Sequence, residues 1–134
     1  MDSVKIVVRN ADGQIIMGYV NDFFPQKLSF HMYPYDSQGS QNAIEIFIKD
    51  LRAVYFVQDF AGDLKIQEEK KFPDVVKPYG RKVEVTFKDN EVMIGFTLGY
   101  DPQRLGFFLF PSNPHCNILR VFVVSEAVSK VRYI

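Results

Sequence analysis

Through most of the chain apolar residues fall at every second position. Ile6 and Val8 alternate with Lys5 and Arg9, and Val83, Val85 and Phe87 alternate with Lys82, Glu84, Thr86 and Lys88, the period of half-buried β-strands. Ala11-Asp12-Gly13 and Lys88-Asp89-Asn90 come next; Gly13 and Asn90 are of the types that best tolerate the positive φ of a tight hairpin turn. Second strands are expected over 14–20 and 91–98, each with an internal glycine, Gly18 or Gly95, which marks a bulge, a bend or a close backbone approach. The third strands alternate Leu28, Phe30 and Met32 against Ser29, His31 and Tyr33, and Leu105, Phe107 and Leu109 against Gly106, Phe108 and Phe110, before Pro34 and Pro111 stop them. In this phase the leucines face the core, and His31, Tyr33, Phe108 and Phe110 face outward. Polar loops at 35–42 and 112–117 lead to closing strands at 43–48 with 53–57 and at 118–124 with 130–134.

The two series are copies of one unit. At an offset of 77, residues 5–57 lie on 82–134 without a gap, and Pro25-Gln26-Lys27-Leu28-Ser29-Phe30 falls on Pro102-Gln103-Arg104-Leu105-Gly106-Phe107. The expected organisation is therefore a first unit at 1–57, a connector at 58–81 and a second unit at 82–134. In the connector a short helix is expected from Asp63 to Lys71, ended by Pro73 and anchored by Phe60, Leu64, Ile66 and Phe72. Units of 53 residues are near the lower limit of what folds alone, so the copies are expected to pack on each other.

Composition narrows the function. Thirteen Phe and seven Tyr without a Trp, in a chain that is 47% hydrophobic, supply an ample core. Sixteen basic residues cancel sixteen acidic ones, and they nearly cancel within each copy and within the connector, which lowers the expectation of a polyanion ligand. A single Cys116 permits no internal disulfide. No basic-then-apolar leader opens the chain and no run approaches the roughly 20 apolar residues of a membrane span, so a cytoplasmic protein with no membrane contact is expected.

Val83-Glu84-Val85-Thr86-Phe87-Lys88-Asp89-Asn90-Glu91-Val92-Met93-Ile94-Gly95-Phe96, followed by Gly99-Tyr100-Asp101-Pro102, resembles the first motif of the Sm-like barrel, a small SH3-like fold. Tyr100-Asp101 matches its aromatic-acid corner; the first copy reads Phe23-Phe24 there and lacks the acid. The resemblance implies an all-β fold with one short connector helix, made of two tandem five-stranded Sm-like or SH3-like barrels packed together. The whole chain also resembles an uncharacterised bacterial family that carries this tandem unit alone or beside signalling modules. Sm-like proteins bind single-stranded RNA through an Asn after the corner and an Arg-Gly in a second motif. Here those places hold Ser29 and Gly106, then Ile48-Lys49-Asp50 and Val124-Ser125-Glu126, so neither copy keeps the pocket.

Two groups stand out as candidate binding residues. Gln26-Lys27 and Gln103-Arg104, in the best-preserved stretch, present two equivalent cations to an acidic ligand, or are simply solvated turns. Tyr100-Asp101 belongs to the corner beside them. Tyr33, Phe108 and Phe110 form an outward aromatic set that packs between the copies, meets another protein or stacks on bases. His115-Cys116 has no zinc spacing and no oriented base, Asp22, Asp89 and Asp101 sit in or beside turns, and no phosphate, dinucleotide or nucleophile motif is present. The expectation is a non-catalytic binding or scaffolding module of a bacterial cell, not an enzyme, without cofactor or metal, working through a protein partner or self-association. The alternative is a single-stranded RNA or nucleotide binder using the basic turns and outward aromatics.

Overall fold

A computed structural model describes residues 4–35, 42–64, 80–111 and 115–134. They form ten strands: β1 (Val4–Asn10), β2 (Ile15–Val20), β3 (Ser29–Pro34), β4 (Ile44–Phe47), β5 (Leu51–Val57), β6 (Arg81–Phe87), β7 (Val92–Thr97), β8 (Gly106–Leu109), β9 (Ile118–Val124) and β10 (Val128–Tyr133). Single 3-10 turns, Ile48–Asp50 and Ser125–Ala127, join β4 to β5 and β9 to β10. The fold is all-β. The helix expected from Asp63 to Lys71 lies, beyond Leu64, outside the described residues.

Gly13 (φ +96°) and Asn90 (φ +70°) turn the hairpins β1–β2 and β6–β7, as their tolerance of positive φ requires. Asp12 and Asp89 brace these turns by accepting the backbone N–H of Gln14 (2.9 Å) and Glu91 (3.0 Å). The registers correspond, Ile6 opposite Gly18 and Val83 opposite Gly95. Both glycines mark close backbone approach: a Cβ at Gly18 would lie 2.5 Å from the Tyr33 carbonyl oxygen, and one at Gly95 would lie 2.8 Å from that of Phe110.

Sheet boundaries do not follow the halves of the sequence. One sheet has the order β4-β3-β2-β1-β5-β9-β8, and the other is β10-β6-β7. The seam between the halves is an antiparallel ladder, β5 on β9, with Val54 opposite Phe122 and Tyr55 opposite Val121. Two cores lie on opposite faces of this central part. Val7, Ala53, Tyr55 and Val57 pack with Val83, Val85, Phe87 and Val123, while Ile6, Val8, Val54 and Phe56 pack with Phe30, Met32, Phe122 and Val124. Each core draws on both halves.

Burial on both faces corrects the expectation of half-buried strands in the first half. Val7 is as buried as Ile6 and Val8, and β5 is buried along its whole length. Apolar-polar alternation persists in β6, where Lys82, Glu84 and Thr86 are only half-buried. Leu28, expected to face the core, is 71% exposed, because it belongs to the turn before β3 and escapes the strand's alternation. Of the connector anchors, Phe60 and Leu64 pack against the first core; Ile66 and Phe72 lie outside the described residues. Asn117 fastens the connector, donating from Nδ2 to the carbonyls of Asp59 (3.0 Å) and Asp63 (3.1 Å) while its Oδ1 accepts the Asp59 N–H (2.9 Å).

Candidate functional site

The loops 21–28 and 98–105 join the second strand of each half to its third, and they are built alike. Lys27 N–H donates to the Phe24 carbonyl (3.0 Å) and Arg104 N–H to that of Asp101 (3.1 Å). Phe23 packs edge-on to Phe30 at 5.2 Å, and Tyr100 to Phe107 at 4.9 Å. The loops part company where they meet the sheet. In the first half β2 and β3 form a ladder from Gly18–Pro34 to Val20–Met32, whereas among the described residues β7 and the end of β8 are joined by the single bridge Phe96–Phe110.

Beside that open seam lies a cleft of about 750 Å3 whose walls include Pro25 and Gln26 of one loop and residues 97–108 of the other strand-loop-strand segment, Pro102 excepted. Gln26, Gln103, Arg104, Tyr100, Asp101, Phe108 and Phe110 all border it. Seven of the nine residues singled out from the sequence thus share one concavity, a size typical of ligand pockets. Lys27 and Tyr33 are not on its wall. Lys27 Nζ sits 4.7 Å from the Phe24 ring, so Lys27 and Arg104 do not converge as a pair. Arg104 is paired loosely with Asp101 at 3.7 Å and is largely solvated, and Asp101 also accepts the Gln103 N–H at 2.9 Å.

Phe108 is half-buried. Its ring meets Phe122 at 5.2 Å, Phe56 at 6.1 Å and Phe23 at 6.3 Å, which places it at the edge of the second core. Phe110, 6.4 Å from Phe108, carries the aromatic surface to the cleft wall. Leu98, which the sequence pattern placed at the end of a strand, is 74% exposed at its rim.

Three features escaped the sequence reading. Arg120 stacks on Phe56 and Phe108, 4.4 Å from each ring centre, and burial pushes its pKa below the usual arginine value. The buried Arg52 reaches across the halves, with Nε 3.1 Å from Asp89 and Nη2 3.1 Å from Glu91, over the face of Phe87 at 3.8 Å. Those carboxylates lie off the N–H axes, so the attraction is electrostatic rather than hydrogen-bonded. The only trace of either arginine in the sequence is a basic residue interrupting an apolar run. The third is a clasp: Asp22 accepts the backbone N–H of His31 at 3.0 Å and meets its ring Nδ1 at 2.8 Å. Burial raises the Asp22 carboxyl, but these bonds outweigh it and hold the pKa below the ordinary carboxylate value.

Among the described residues that line the cleft there is no His, Cys, Ser or Lys. Among the described residues no group of His, Cys, Asp and Glu could hold a metal ion, and Cys116 is buried. No helix among them is long and apolar enough to cross a membrane. Residues 2–134 match the model of a family of unknown function (DUF6982), and the chain belongs to that family. No curated protein matches it, and no solved structure does.

Proposed function

For this member of a family without an assigned role, we propose a non-catalytic interaction module, made of two Sm-like units fused edge to edge, whose cleft receives a segment of a partner protein in a bacterial cytoplasm. The observation that carries this reading is the convergence of an aromatic wall, an exposed Leu98 and an open strand seam in one concavity of about 750 Å3. Exposed apolar surface beside unpaired strand edge is what an extended peptide recognises. Lys27 turned onto its own Phe24 takes support from the RNA alternative, which needs converging cations.

A photoreactive residue in place of Leu98, irradiated in the native cell, tests the reading. A protease-sensitive adduct of defined mass supports it, a nuclease-sensitive adduct favours RNA, and no adduct at all overturns it. Phe108 is a poorer probe, since its ring belongs to the packing.

Self-association has its own observation. β5 pairs with β9, and β10 and β4 hold the corresponding places at an offset of 77. Among the described residues each of these two pairs on one side only, β10 with β6 and β4 with β3. Addition of one chain's β10 to the β4 of a second copy repeats the internal seam, a head-to-tail contact. Tyr133→Pro removes an N–H that points away from β6, since the neighbouring Ile134 N–H donates to Lys82 of that strand. Concentration-dependent mass lost in this variant supports the contact; a monomer at all concentrations removes it.

A further inference from the structure

The two matched loops differ at one chemically decisive position. In the first half Asp22 supplies the acceptor for the His31 N–H. At the same place in the second loop stands Gly99, and Phe108 stands for His31. Strand parity shows where the Phe108 N–H points. The Leu105 carbonyl accepts Ser125 N–H across to the β9 side (2.9 Å), so residues 105, 107 and 109 turn their polar backbone toward β9. Phe110 turns the other way, exchanging bonds of 2.7 and 2.8 Å with Phe96. Phe108 shares the direction of Phe110, but β7 has ended at Thr97, and no described residue offers it an acceptor.

The place that Asp22 fills in the first half is open space in the second. A Cβ at Gly99 would meet nothing within 4 Å, and its φ lies outside the left-handed region. Phe108, Gly99 and Leu98 all line the cleft, with Arg104 on the same wall. An N–H on a half-buried residue, with no protein acceptor, donates readily to a ligand atom, and most strongly to a charged one.

We propose that the Phe108 N–H is the docking point for a carboxylate, an Asp or Glu side chain on an extended segment of the partner protein, which takes the place that Asp22 fills in the first half. Arg104 adds a cation beside it, and Leu98 and Phe110 supply apolar contact for the flanking residues. This rests on the reading of the cleft as a protein-binding site.

The test uses the full-length 15N-labelled chain and two blocked peptides, Val-Thr-Val-Asp-Val-Thr and its Asn counterpart. The Asp peptide is expected to move the Phe108 amide resonance downfield and to bind at least about tenfold tighter than the Asn peptide. Gly99→Asp is expected to move the same resonance without peptide and to abolish binding, while Gly99→Ala, which brings no acceptor, keeps it; thermal melts of both variants confirm that they are folded. Equal binding of the two peptides overturns the carboxylate while leaving the cleft reading intact. No shift at Phe108 with either peptide or with Gly99→Asp also overturns it, and the Leu98 crosslink then decides separately whether the cleft reading stands.

Discussion

Replacing Phe122 by alanine empties a ring site that is fully buried in the seam, 5.1 Å from Phe23 and 5.2 Å from Phe108. Loss of a buried Phe costs about 3–5 kcal/mol, transfer and cavity together. At the usual ~0.05–0.15 kcal/mol per residue, a chain of 134 residues holds roughly 7–20 kcal/mol, so the variant is expected to fold. Its Tm should drop by about 9–25 °C at roughly 3–5 °C per kcal/mol. Val85→Ala, in the core on the opposite face, loses two methyl groups and should cost about 1.5–2.5 kcal/mol. Since β5 serves both cores and is paired to β9, each variant should shift one and the same transition. Urea unfolding followed by far-UV circular dichroism and by tyrosine fluorescence checks this, because Tyr55 reports from the first core. Coincident curves with an unchanged slope are expected. Two transitions, with Phe122→Ala moving one and Val85→Ala the other, would refute a single cooperative body and restore two independent units.

Three further outcomes follow from named contacts. Gly95→Ala pushes a methyl against the Phe110 carbonyl and the Leu109 side chain and should cost about 1–3 kcal/mol in chemical denaturation, whereas Gly99→Ala, into open space, should fall within about 0.5 kcal/mol of zero or stabilise slightly. Arg52→Gln gives up the stacking on Phe87 and two pairs to half-exposed carboxylates, together roughly 2–3 kcal/mol; a change under about 0.5 kcal/mol would show the cluster to be idle. Because the Asp22 carboxyl titrates below its unfolded value, its contribution is complete above the unfolded carboxylate pKa of about 3.9 and is lost as the pH falls through the folded value. Stability of the native chain should therefore fall more steeply below about pH 4.5 than that of Asp22→Asn, and parallel acid profiles would show that the clasp contributes nothing.

Local chemistry was enough to place most of the strands and both hairpin turns, because alternation and the φ tolerance of Gly13 and Asn90 act over a few residues. Close approach at Gly18 and Gly95 was legible for the same reason. The sequence also marked seven of the residues around the cleft: Gln26, Gln103 and Arg104 because that turn is best preserved between the copies, Tyr100 and Asp101 from the Sm-like corner, and Phe108 and Phe110 from strand alternation. It was silent on which strands pair across the halves. Register between β5 and β9 depends on burial of both faces of each strand, a property of the assembled sheets that makes a central strand look uniformly apolar and an edge strand look alternating. Arg52 and Arg120 show the same limit. A cation inside an apolar strand is unreadable until the ring or carboxylate facing it is known, and those partners lie 12 to 64 residues away. Only the tertiary structure set the clasped loop of Asp22 beside the unclasped loop at Gly99, because the difference rests on one backbone N–H and on whether a neighbouring strand continues far enough to meet it.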